Sequence, residues 1–221
     1  MRGALATMTP ASLVQLVGAV VLTASFAATS AYGQERVAVF GDGEIPDKPF
    51  TSWSLFLMCN PEWLTAKKEP ALRQVFEAYV AFARTTGDRH AGVWFVVKDG
   101  SRDKAADLDV ERNVRYCRQF NLTPGEGPHV VVVTTHPEKW GPTDAVVVLA
   151  LGGSDTDDII TLFRKLNDQI LSEQLSQKAL TSKQYWLSWV RVLEKGCKLL
   201  DNVKFTVTAE VVKVEKTGVC R

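Results

Sequence analysis

Four cysteines (Cys59, Cys117, Cys197 and Cys220) and three histidines (His90, His129 and His136) are the side chains best suited to nucleophilic, redox or metal chemistry. Zinc held by thiolates normally draws on close C-x-x-C pairs, and no two cysteines here are closer than 23 positions. His129 and His136 stand near opposite ends of one apolar run, about 23 Å apart at ~3.3 Å per strand residue, too far to share an ion. Neither a metal nor a cofactor is expected. H-E-x-x-H, G-x-S-x-G and P-loop patterns do not occur in the chain. Gly152-Gly153-Ser154 could pass for a phosphate cradle at a helix start. Asp155, Asp157 and Asp158, however, already place carboxylates at that positive end, so the glycines read as a strand-to-helix connection. Asn121-Leu122-Thr123 matches the glycosylation pattern, with Pro124 directly after it.

What the cysteines do depends on the compartment. Arg2 precedes an apolar stretch from Leu13 to Phe26, and small residues follow in AATSAYGQE before the first acidic residue, Glu35. Basic start, apolar middle and small-residue cleavage site are the layout of a secretory signal peptide over residues 1–33, cut after Gly33 or Ala31. An uncleaved anchor is the rival, but the run falls short of the ~20 residues a span needs and no basic stop-transfer cluster follows. The rest, 34–221, is one domain's worth of chain. It keeps every acidic residue and loses only Arg2, so 25 basic side chains balance 25 acidic ones. That balance gives no electrostatic footprint for nucleic acid, and nothing after residue 34 is apolar for long enough to span a membrane. A periplasmic or secreted protein follows, and an even cysteine count there suggests two disulfides with three possible pairings.

The elements that must position these residues are legible from periodicity. Residues 34–50 form a lead-in with a short apolar run, Val37–Phe40, and turn-rich segments around Gly41 and Pro46. Trp53–Met58 fits a buried strand. Pro70 suits the first turn of a helix, whose stripe is Leu72, Val75, Phe76, Tyr79, Phe82 and Ala83. Gly92–Val97 is a second apolar strand, Val110–Phe120 a helix, Val130–Thr134 a third strand and Ala145–Ala150 a fourth. Ser154 or Asp155 caps the next helix, carrying Ile159, Leu162, Phe163 and Leu166. The apolar strands do not alternate, so helices should cover both sheet faces. Beyond residue 172 come an amphipathic helix, Ser182–Leu200, with Tyr185, Trp186 and Trp189 facing the core, and an alternating strand, Lys204–Val214.

The order β-α-β-α-turn-β-β-α resembles the thioredoxin fold over roughly residues 50–170. Three places carry the resemblance: WSLFLM before an acidic-Pro loop and a long helix, Gly127-Pro128-His129-Val130 where the family keeps a cis-proline, and LALGGSDTDDIITLFRKL at the closing strand and helix. It implies an α/β, thioredoxin-like mixed sheet over 51–172, with a C-terminal helix–strand extension over 173–221. The family acts through a C-x-x-C at the start of the helix after the first core strand, where dipole and paired thiols activate the attacking cysteine. In this chain that position falls near Trp63-Leu64-Thr65-Ala66, with no sulfur, and only Cys59 lies close.

The resemblance further implies that Cys59 can pair with Cys117, whose helix packs beside the first core strand. Such a bridge reads as a structural staple worth a few kcal/mol, with a redox-active bond as the alternative. Cys197 and Cys220 flank the last helix–strand unit, where a bridge would pin the tail. Trp63, Leu64, Gly127 and Pro128 should converge at the edge where redox members hold extended peptide, with Trp63 as a mere lid of the first helix as the plainer reading. Three functions follow as expectations. The first is an exported protein-binding or assembly factor without dithiol chemistry, its partner another exported protein. The second is a divergent thiol–disulfide oxidoreductase using Cys59 and Cys117. The third is a structural subunit assembling through its C-terminal helix and strand.

Overall fold

A computed structural model describes residues 37–152, 156–172, 204–209 and 212–216. Strands β1 (Val37–Phe40), β2 (Ser52–Met58), β3 (His90–Val96), β4 (Pro128–Val133) and β5 (Val146–Ala150) form a mixed sheet in the order β1-β3-β2-β4-β5. The first three run parallel, while β4 lies antiparallel to both β2 and β5. Backbone pairing continues the sheet through β6 (Lys204–Ala209) and β7 (Val212–Lys216). The alternating run read as one strand is thus a pair of antiparallel strands. The proposed helix at 182–200, the cap at Ser154 or Asp155, and both Cys197 and Cys220 lie outside the described residues.

Among the described residues, three helices pack on this sheet: α1 (Glu69–Ala83), α2 (Val110–Gln119) and α3 (Thr156–Leu171). Successive strand residues feed opposite cores, which explains why the strands read as apolar runs. Phe56, Met58, Trp94, Val96, Val130, Val132, Val147 and Leu149 face one side with Leu72, Phe76 and Tyr79 of α1 and Ile159, Leu162 and Phe163 of α3. Leu55, Leu57, Val93, Phe95, Val131 and Val133 face the other, with Tyr116 and Cys117 of α2. The α/β class and the two covered faces agree with the sequence reading. Gly92 marks a tight crossing, because a Cβ there would lie 2.4 Å from Cβ of Ala83 on α1.

Two expectations change. Val37–Phe40, placed in a lead-in, is paired residue for residue with Val93–Val96 as an edge strand. Its run of four apolar residues was too short to separate from a loop by periodicity alone. The cis-proline expected at Pro128 is absent there; the cis peptide among the described residues is Lys48–Pro49. Pro128 instead opens β4 in register with Met58, and Gly127, at φ +85°, supplies the sharp entry into the strand.

Candidate functional site

The site is built where β2 ends. Asn60 caps a short 3-10 turn, Pro61–Leu64, its side chain accepting from the Glu62 amide at 2.9 Å. Pro61 sits at the first position of the turn, where its missing N–H costs nothing. Lys68 then leads into α1, ion-paired to Glu62 at 3.6 Å and lying 5.4 Å above the Trp63 ring. No sulfur stands anywhere in this turn or at the start of α1.

Trp63, Gly127 and Pro128 do come together. A Cβ on Gly127 would meet Trp63 Cζ2 at 2.7 Å and the Gly152 Cα at 2.3 Å, so only glycine lets the three segments close on one another. The Leu151 amide donates to the Pro128 carbonyl at 2.8 Å beside them. Trp63 is only 8% exposed and belongs to the α1–α3 core, while Gly127 and Pro128 are buried. Leu64 is half-buried, packed on the rim of the same core. The tryptophan therefore seals the end of the core, and the accessible part of the cluster is Leu64 with the charged pair Glu62 and Lys68.

The opposite core holds the sulfur. Cys59 and Cys117 form a disulfide, with their Cα atoms 5.6 Å apart across 58 positions of chain. Both are buried, at 4% and 3% exposure. Two neighbours matter. Leu57 is paired with His129 across the β2–β4 ladder, so Cys59, two residues further, is its diagonal neighbour on the same face. His129 Nδ1 accordingly lies 3.5 Å from Cys59 Sγ. From α2, the Asn113 carboxamide oxygen accepts the Met58 amide at 2.9 Å and its nitrogen donates to the Asp109 carbonyl at 2.6 Å. Asp109 caps α2 by accepting from the Arg112 amide at 2.9 Å.

Arg112 extends this clamp. Its guanidinium donates to the carbonyls of Gly41 and Gly43, both at 2.6 Å, and stacks 4.5 Å over Phe95. The loop after β1 is thereby tied to the helix that carries Cys117. Neither Asn113 nor Arg112 was picked out in the sequence. Each lies on the buried side of a helix rich in polar residues, and no spacing rule announces a buried polar anchor.

All three histidines are buried. His136 lies beyond the end of β4 and caps the 3-10 turn Pro137–Lys139, with its Nε2 3.0 Å from the Ile45 carbonyl and its ring edge-on to Trp53 at 5.3 Å. His90 is buried between Ser52 and Ser54, with its two ring nitrogens 2.8 and 2.9 Å from their hydroxyls. Ser54 continues the chain to the Tyr79 hydroxyl at 3.1 Å, which donates to the Ser54 carbonyl at 2.7 Å. Burial holds the His90 ring neutral, its pKa lowered to about 3, and pushes the Tyr79 phenol upward. This network has no sequence signature, since it needs two strands and a helix to meet. Among the described residues, no group of three or more His, Cys, Asp or Glu is placed to hold a metal ion.

No family model, no curated protein and no solved structure matches this chain. The site must therefore be read from its own geometry.

Proposed function

We propose that this is an exported, thioredoxin-like protein that acts as a protein-binding or assembly factor rather than through a dithiol. One observation carries the reading. The turn after β2, where a C-x-x-C would stand, is closed by Trp63 against Gly127, and the nearby sulfur is tied into a buried bridge. The strand order β1-β3-β2-β4-β5, with β4 and β5 antiparallel to their neighbours, supports the thioredoxin-like assignment. Export rests on the signal-peptide layout of residues 1–33. Binding would centre on Leu64, backed by Trp63, Gly127 and Pro128 and rimmed by Glu62 and Lys68, with another exported protein as partner.

Leu64→Asp tests the surface without opening the core, which Trp63→Ala would do. Cross-linked complexes recovered from the exported fraction of the source cell should disappear with Leu64→Asp and persist with a distant surface change such as Asp103→Ala. Recovery unaffected by Leu64→Asp would remove the reading.

A second reading, a divergent thiol–disulfide oxidoreductase, draws on the contact between His129 and Cys59. It requires the protein to reduce or oxidise a disulfide-bearing substrate protein catalytically. Turnover lost in Cys59→Ser would support it, and turnover absent from the wild type would end it.

A further inference from the structure

We propose that the Cys59–Cys117 bridge is chemically one-sided: His129 makes Cys59 the leaving sulfur, so an attacking thiol is captured on Cys117 and Cys59 is released as a reactive thiolate. The inference concerns the bond itself, and it stands or falls independently of both readings above.

Accessibility gives no preference between the two sulfurs, since Cys59 and Cys117 are equally buried to within one part in a hundred. Their surroundings differ. Cys59 Sγ has an imidazole nitrogen, Nδ1 of His129, at 3.5 Å. Cys117 belongs to the same apolar core as Cys59, and the contact with His129 Nδ1 is made by Cys59 Sγ. Thiol–disulfide exchange is faster through the sulfur that leaves with the lower pKa, and a hydrogen bond from a neighbouring imidazole N–H favours a thiolate over a thiol. The β2–β4 register holds the pair in place, because Leu57 and His129 are locked opposite one another. Asn113, bonded to the Met58 amide, fixes the strand end from the other side.

The step balances as follows. A monothiol of low molecular mass, acting as thiolate, forms a new S–S bond to Cys117 Sγ. The Cys59–Cys117 bond breaks, and its electron pair passes to Cys59 Sγ, which is released as a thiolate accepting a hydrogen bond from His129 Nδ1. A second equivalent of thiol then displaces Cys117 as a thiolate, leaving the reductant oxidised to its own disulfide. The reduced protein thus presents Cys59 and His129 as a thiolate–imidazole pair, a site for alkylation or S-thiolation.

The test uses the mature, folded protein with 2-mercaptoethanol as the attacking thiol. Acid quenching, N-ethylmaleimide trapping and peptide mapping then locate the mixed disulfide. Wild-type protein should carry the mercaptoethanol adduct on Cys117 and maleimide on Cys59 in at least tenfold excess over the reverse, and His129→Gln should reduce that excess to threefold or less. Equal adducts, a reversed preference, or an unchanged ratio in His129→Gln would overturn the proposal, as would the absence of any adduct before unfolding. Because His129 is buried and His129→Gln also perturbs the core, a second measurement uses wild type alone. In the reduced, folded protein, iodoacetamide should modify Cys59 before Cys117, with a midpoint below the ordinary thiol value of about 8.5. Modification of Cys117 first, or a Cys59 midpoint at or above that value, would refute the proposal equally.

Discussion

His90 shows how a single side chain can set a pH limit on the fold. In the unfolded chain its imidazole takes a proton near the ordinary value of about 6.5, but in the folded protein only near 3. Between those values the unfolded state binds more protons, so acidification favours unfolding. This contribution is absent above about pH 6.5 and grows toward pH 3, by at most about 1.4 kcal/mol per pH unit. His90→Gln should flatten that part of the stability curve relative to wild type. Urea denaturation of both proteins at pH 7 and pH 4.5 measures the difference. Equal losses in the two proteins would show that other groups govern acid sensitivity. His90 was visible in the sequence only as a histidine; its neutrality comes from burial, and Ser52 and Ser54 pair its two ring nitrogens.

At the scale of elements, α2 is the fastener of the second core. It reaches β2 through the disulfide and through Asn113, and it reaches the loop after β1 through Arg112. Arg112→Ala removes two hydrogen bonds from a charged donor and the stack on Phe95, leaving the Gly41 and Gly43 carbonyls without that donor. A loss of about 2–4 kcal/mol is expected, with faster amide exchange at residues 41–45. Chemical denaturation and hydrogen exchange read the two effects, and a drop in stability without faster exchange in that loop would mean that Arg112 acts only through packing. The bridge itself closes a separation of 58 positions. The chain-entropy account assigns such a loop about 4 kcal/mol. Replacing both Cys59 and Cys117 with serine should lower the unfolding free energy by that order, checked by urea titration. A loss under about 1 kcal/mol would mean that native-state strain offsets the entropic gain.

For the whole molecule, the two covered faces leave the sheet as a continuous spine between two cores. Among the described residues, no helix is long and apolar enough to cross a membrane. The proposed export of this domain makes a direct prediction about its processed end. Mass spectrometry of the protein recovered from the exported fraction should find Tyr32 or Gln34 as the first residue, just ahead of β1 at Val37. An intact Met1 on the exported protein would show that the leader is retained as an anchor. Loss of cross-linked partners in Leu64→Asp belongs to the same scale, since the surface it tests, Leu64 with Glu62 and Lys68, is held in place by Trp63 packed on Gly127 at the entry to β4.

The periodicity and punctuation of the chain determined the class and the order of the elements. Trp53–Met58, Val130–Thr134 and the stripe from Leu72 to Ala83 announced two-sided strands and an amphipathic helix because burial of apolar side chains follows local spacing. Spacing could not decide how Val37–Phe40 is used, since a run that short becomes a strand only when β3 offers it an edge. Nor could it decide the proline at residue 128, whose peptide geometry is set by the β2–β4 register and by Gly127 turning against Trp63 and Gly152. The pairing of Cys59 with Cys117 is one the resemblance implies and the structure contains, whereas the histidine beside it and the polar anchors Asn113 and Arg112 join residues far apart in the chain with no signal in the sequence. Such contacts are created by packing, so only the tertiary structure could bring them together.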